Sequence, residues 1–183
     1  MNMSWEEAIK RERIKALSCW TFLLLYVYLL VKVILLKFQT MDFSFLWGQL
    51  LIGLQEPYLL SIRLESANLV PFREINRSLQ SLSDHAMVNL FGNVAIFLPL
   101  GFVLAFMWNR VRMAGVKIVS CAFLLSLGLE TAQLVFMIGQ FDVDDILLNT
   151  LGGLLGFIVY RTVRFVMERT EQYETHYDTD RRR

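Results

Sequence analysis

Three sets of polar residues stand at helical spacing inside apolar stretches of this sequence. Ser126, Glu130 and Gln133 follow i, i+4, i+7. His85, Asn89 and Asn93 follow i, i+4, i+8, and Asp142, Asp145 and Asn149 follow i, i+3, i+7 with Asp144 beside them. Each set falls on one face of a helix. Carboxylates, amides and an imidazole can hold an ammonium group, supply oxygen ligands to Mg2+ or Ca2+, or move a proton in a hydrolase or transferase. The patterns that make such catalysis specific are missing: there is no H-E-x-x-H, no G-x-S-x-G and no Walker loop.

The elements that must position these residues follow from composition. Of 183 residues, one domain's worth, 55% are apolar and only 19% charged, and mean hydropathy is +0.45. That balance excludes a disordered chain, and the charges are too few to cover a soluble domain of this size. A net charge of +1 gives no basic field for nucleic acid. Cys19 and Cys121 both lie in apolar runs and read as packing residues, not as a disulfide or thiolate metal site.

A helix needs about 20 apolar residues to cross a bilayer. Runs of that length occur at about 17–38, 86–108, 117–138 and 143–167, the last lengthened by snorkelling of Arg161 and Arg164. The expected fold is an all-α integral membrane protein, a bundle of four transmembrane helices. A further apolar stretch, Phe45 to Ile62, is broken by Gln55, Glu56 and Pro57 into pieces too short to cross. Within the 39–85 loop it is expected as an outward-facing interfacial or re-entrant segment between the first and second spans. Phe38 to Met41 offer no small-residue cleavage pattern, so the first run reads as a retained anchor.

Outside the 17–167 transmembrane domain, residues 1–16 read as a cytoplasmic amphipathic helix opened by a Ser4–Glu7 capping box, and 168–183 as a disordered cytoplasmic tail. Lys10, Arg11, Arg13 and Lys15 precede the first span. Arg110, Arg112 and Lys117 separate the second and third, and Arg161, Arg164, Arg169 and Arg181 to Arg183 follow the fourth. Only Lys37, Arg63, Arg73 and Arg77 lie on the opposite side, so both termini are expected in the cytoplasm.

The polar residues inside the spans then acquire a cost. Glu130 lies about 12 Å below the outer end of its helix at 1.5 Å per residue, where a carboxylate costs on the order of 3 kcal/mol on insertion scales. Hydrocarbon penalises all three stripes, so they should face one another in a polar pocket opening outward. Structural alternatives apply at single positions. Asp142 can cap the fourth helix, with Asp144 and Asp145 in its first turn; Asn89 and Asn93 can be interhelical glue; Glu130 can pair with Lys32 at a similar depth. Gly152, Gly153 and Gly156 contain a G-x-x-x-G element suited to close helix packing.

Four pieces of sequence together resemble the VanZ-like family of bacterial membrane proteins: NLVPF (Asn68 to Phe72), NLFGNVAIFLPLG (Asn89 to Gly101), S-x-x-x-E-x-x-Q (Ser126 to Gln133) and FDVDDILLNTLGGLLG (Phe141 to Gly156). They cover about half the chain in the family's order, and the acid-rich last element is the most specific. Many family members carry an arginine where this chain has Gln140. The resemblance implies a multi-pass, all-helical protein of the bacterial cell membrane and a role in the cell envelope, since the family's namesake lowers susceptibility to a lipoglycopeptide of the teicoplanin type.

The expected function is a non-enzymatic site for an amphiphile, an envelope lipid precursor or the lipoglycopeptide itself. The pocket would be formed by His85, Asn89, Asn93, Ser126, Glu130, Gln133, Asp142, Asp144, Asp145 and Asn149. No cofactor is expected beyond a possible divalent cation, and a phosphate would need that cation or the nearby Arg73 and Arg77. The alternatives are a carboxylate- or metal-dependent hydrolase or transferase acting on a lipid-linked substrate, and a structural partner engaging another membrane protein through the G-x-x-x-G face.

Overall fold

The computed structural model describes residues 5–36 and 42–181. Among the described residues there are seven α-helices and no strand: α1 (Trp5–Leu36), α2 (Phe43–Gln55), α3 (Pro57–Ser66), α4 (Arg73–Ser81), α5 (Asp84–Met107), α6 (Ala114–Val135) and α7 (Val143–Arg181). Four of them, α1, α5, α6 and α7, are long and apolar enough to cross a membrane. The chain is an all-α membrane protein.

The long helices owe their extent to unbroken apolar sequence and their ends to local signals. Ser83 caps α5 by accepting from Ala86 N–H at 3.4 Å. Residues at positive φ, Met113 before α6 and Met137 after it, bend the chain into and out of the third span. Between the first two spans the chain folds as three short helices. The break at Glu56–Pro57 separates α2 from α3, since Pro is accepted in a first helical turn but not in the middle of a helix. At 13 and 10 residues, both are shorter than a crossing requires.

The two ends depart from expectation. Residues 5–16 do not form a separate surface helix; α1 runs unbroken from Trp5 into the first span. No Gly or Pro interrupts that stretch, and a Lys15–Glu12 pair at 3.1 Å spans one turn of it. Ser4 of the expected capping box lies outside the described residues, as does the expected end of the first span at 37–38. The expected disordered tail instead continues α7 as helix to Arg181. Helix-forming residues and the Arg164–Glu168 i, i+4 pair at 2.7 Å carry it past the membrane-spanning part.

Packing is closest between α5 and α7. An added Cβ at Gly152 would lie 2.2 Å from Val94 O, and one at Gly156 2.0 Å from Leu98 O, so these glycines let two backbones touch. Gly153 faces α6, where a Cβ would meet that of Ala122 at 2.6 Å. The G-x-x-x-G face is therefore covered by the chain's own α5, which removes it as a docking face for another membrane protein. Away from the polar ends, Phe97, Leu100, Leu104 and Ala105 of α5, Ile118 and Ala122 of α6 and Tyr160 of α7 form the apolar core.

α1 joins this core through Leu23 and Leu30 and through a hydrogen bond from Tyr26 Oη to Ile96 O. Pro99, three residues on, offers no N–H to the carbonyls preceding it and loosens α5 there. Tyr26→Phe is expected to lower stability by about 1 kcal/mol, the usual net worth of one such bond, read as a reduced denaturation midpoint in detergent.

Candidate functional site

The first half of α5, the second half of α6 and the start of α7 lie at one end of the bundle and enclose a cavity of about 1000 Å³. His85, Asn89 and Asn93 reach it from α5, Glu130 and Gln133 from α6, and Asp142, Asp145 and Asn149 from the start of α7. Val33 and Ile34 of α1 and Val88 and Ile96 of α5 add apolar lining.

The acidic groups that α6 and the start of α7 bring to the wall each accept from a donor in another segment. Asp145 Oδ1 accepts from Asn93 Nδ2 at 2.6 Å and Asn89 Nδ2 at 3.4 Å, joining α7 to α5. Glu130, 2% exposed, accepts from Asp142 N–H at 2.9 Å through Oε2. Asp142 Oδ1 in turn accepts from Asp144 N–H and from Asn68 Nδ2, both at 2.8 Å, and so caps α7 while tying it to the segment before α4. Burial raises the Asp142 carboxyl above the ordinary carboxylate range. The hydrogen bonds from Asn68 and Asp144 oppose this, and the charges of Asp144 and Glu74 add to it. A raised folded-state value means that Asp142 favours the folded state when protonated, a contribution lost as pH rises through that value.

Lys15–Glu12, Arg77–Glu74 and Arg164–Glu168 pair among the described residues, and Lys32 is not seen paired with Glu130. Where α6 meets α1 at this level, the link is instead Gln133 Nε2 donating to Ile34 O at 2.9 Å. Glu130 sits against the amide at the start of α7, where the positive end of the helix dipole favours a carboxylate.

Two residues expected on the cavity wall are not on it. Ser126 is fully buried beneath, its Oγ accepting from Asn149 Nδ2 at 2.8 Å. Asp144, 1% exposed, has a different task. Its carboxylate accepts from the backbone N–H of Phe72, from Glu74 N–H at 2.7 Å and Ile75 N–H at 3.2 Å, and from Asn68 Nδ2 at 3.4 Å. These are the orphan donors at the start of α4, a helix whose own N-cap, Phe72, offers no side-chain acceptor. A carboxylate on α7 thus caps α4 from a distance and fixes it over the cavity.

Several wall residues fall outside the helical stripes: Ser66, Asn68, Arg73, Glu74, Arg77 and Gln140. They come from α3, α4 and the connecting segments, where periodicity gives no signal. Asn68 is anchored by an isolated parallel bridge to Asp142, with Asn68 N–H donating to Phe141 O at 2.9 Å and Val143 N–H to Asn68 O at 3.0 Å. The N-L-V-P-F resemblance had marked that segment. Gln140 Nε2 donates to Ser66 O, and Arg63 Nη1 to Gly139 O at 3.1 Å, so the turn before α7 is held by α3.

Asn149 is 2% exposed, and its Oδ1 finds no donor among the described residues. An unpaired buried acceptor costs about 1–3 kcal/mol. Among the described residues no three His, Cys, Asp or Glu side chains converge to hold a metal. Ser66, the one hydroxyl on the wall, donates to Arg63 O at 2.9 Å and not to a base.

The family model described as VanZ/LLP1 matches residues 22–164. Protein VanZ of Enterococcus faecium is 34% identical over 71 residues, which are 39% of this chain and 43% of that protein. The match thus spans less than half of the relative's length. No solved structure matches.

Proposed function

The chain belongs to the VanZ/LLP1 family, and from that premise we propose that it protects the cell envelope against lipoglycopeptides of the teicoplanin type by binding an amphiphile or envelope precursor in the polar cavity. The observation that carries this reading is the cavity itself, whose lining combines polar groups from three spans with the apolar side chains of Val33, Ile34, Val88 and Ile96. Such a lining suits a molecule with a headgroup and a chain. The positive-inside rule, with both termini in the cytoplasm, turns the cavity outward, where lipid-linked precursors and the antibiotic meet.

A binding role is favoured over catalysis by the bonding of the polar groups. Glu130 and Asp142 accept from backbone N–H groups, Asp145 accepts from two amides, and Ser66 on the wall donates to a backbone carbonyl. Such groups are positioned to be acceptors.

Growth of strains carrying Asp145→Asn or Glu130→Gln on a lipoglycopeptide tests the reading, with protein abundance measured alongside. Protection should fall to the level of a strain lacking the protein while abundance stays within about twofold. Undiminished protection would overturn the proposal, and loss of protein together with protection would assign both residues to the scaffold.

A further inference from the structure

Two unlike sets of polar groups line the cavity. In the buried set, Asn149 Nδ2 donates to Ser126 Oγ at 2.8 Å, while Oδ1 has no donor among the described residues. Buried amide oxygens are paired in the great majority of cases, so whatever completes this one carries an N–H or O–H. One turn earlier on the same face of α7 stands the carboxylate of Asp145, with Glu130 and Asp142 on the adjoining wall. This set offers a ligand an uncharged acceptor beside negative charge. A primary ammonium, with three N–H donors and a positive charge, satisfies both, whereas a quaternary ammonium brings charge without a donor.

The second set brings positive charge. Arg73 and Arg77 stand one turn apart on α4 and line the same cavity. Arg77 meets Glu74 at 3.5 Å with 78% of its side chain exposed, so its remaining donors face outward. Paired guanidinium groups match phosphate oxygens in geometry and charge. The dedicated capping of α4 by Asp144 holds both arginines at the cavity.

Resting on the reading that the cavity holds an amphiphile, we propose that its ligand is zwitterionic, a phosphate joined to a primary ammonium, with the ammonium at Asn149 and Asp145 and the phosphate at Arg73 and Arg77. An aminophospholipid headgroup has this chemistry, and free phosphoethanolamine shares it. The apolar lining residues of α1 and α5 favour the lipid as the source.

The test uses the purified full-length protein in detergent, titrated with dihexanoyl lipids bearing ethanolamine, choline or glycerol headgroups and with free phosphoethanolamine. The ethanolamine lipid should bind at least tenfold more tightly than the other two lipids. The Arg73→Gln/Arg77→Gln double variant should weaken it about tenfold. Asn149→Leu should bring the ethanolamine-to-choline ratio close to one, and if that variant does not fold, Asp145→Asn should do the same. Tighter binding of the lipid than of free phosphoethanolamine supports the lipid source, and equal binding supports the free compound.

Choline or glycerol lipid binding as tightly as ethanolamine, or selectivity persisting in a folded Asn149→Leu protein, would overturn the inference. If Asp145→Asn cells lose protection while all three lipids bind the unsubstituted protein alike, the zwitterion fails and the pocket reading stands. If those cells keep full protection, the pocket reading itself fails.

Discussion

Gly156→Ala is expected to cost the folded protein about 3 kcal/mol or more, because the added methyl has nowhere to go. Its carbon would lie 2.0 Å from Leu98 O and 2.7 Å from Phe102 N, both backbone atoms of α5. A side chain could rotate away; a helix backbone cannot, so α5 and α7 must separate along the crossing. Overpacking of a close-packed site costs about 1–3 kcal/mol and sometimes more, and an obstacle made of backbone belongs at the upper end. The same separation would stretch the Asn93–Asp145 bond at 2.6 Å, so the cavity wall opens along with the core. Gly128→Ala is the matched control. That glycine lies in α6 with nothing within 4 Å of an added Cβ, and filling a helix interior there should stabilise by about 0.5–1 kcal/mol. Denaturation midpoints in detergent for the two variants should move in opposite directions. Equal shifts would mean that the α5–α7 crossing is not the tight contact it is taken to be.

The legible parts of this molecule are those in which the membrane is the main constraint. Continuous apolar length placed α5, α6 and the start of α7 within about three residues, because a bilayer sets a nearly fixed run length. The cost of polar side chains in hydrocarbon brought His85, Asn89, Asn93, Glu130, Gln133, Asp142, Asp145 and Asn149 onto one list, and all eight line the same cavity. What the sequence hid was set by partners distant along the chain. Nothing local to Asn68 announces its bridge to Asp142, and nothing local to α4 shows that its cap comes from α7. Lys32 and Glu130 share a depth, but depth does not determine azimuth around the bundle, and one donor to Glu130 is a backbone amide. The helical ends failed for the opposite reason. Charged sequence at 5–16 and beyond 168 has little to bury, and a change in composition was mistaken for a change in structure.

Asp144→Ala should show how sharply role depends on azimuth. Asp144 and Asp145 are adjacent, carry the same side chain and occupy the same helical turn, yet about 100° of rotation separates them. One meets the start of α4 and the other faces the cavity. Removing the Asp144 carboxylate, itself 1% exposed, takes the acceptor from the N–H groups of Phe72, Glu74 and Ile75. Bonds to a charged acceptor are worth about 1.5–3 kcal/mol, and a lost cap about 0.5–2 kcal/mol. With the bonds acting on one short helix, a total near 3 kcal/mol is expected. The loss is local first. Hydrogen exchange across Arg73–Ser81 should accelerate by about two orders of magnitude while α5 and α6 stay protected, since 1.4 kcal/mol corresponds to tenfold in an opening equilibrium. Arg73 and Arg77 then leave the cavity rim with the helix that carries them. Asp145→Asn should do the reverse, leaving exchange in α4 unchanged while ligand binding falls. Matching exchange profiles for the two variants would mean that the acidic turn acts as one undivided charge, and that the separation of scaffold from site along α7 is wrong.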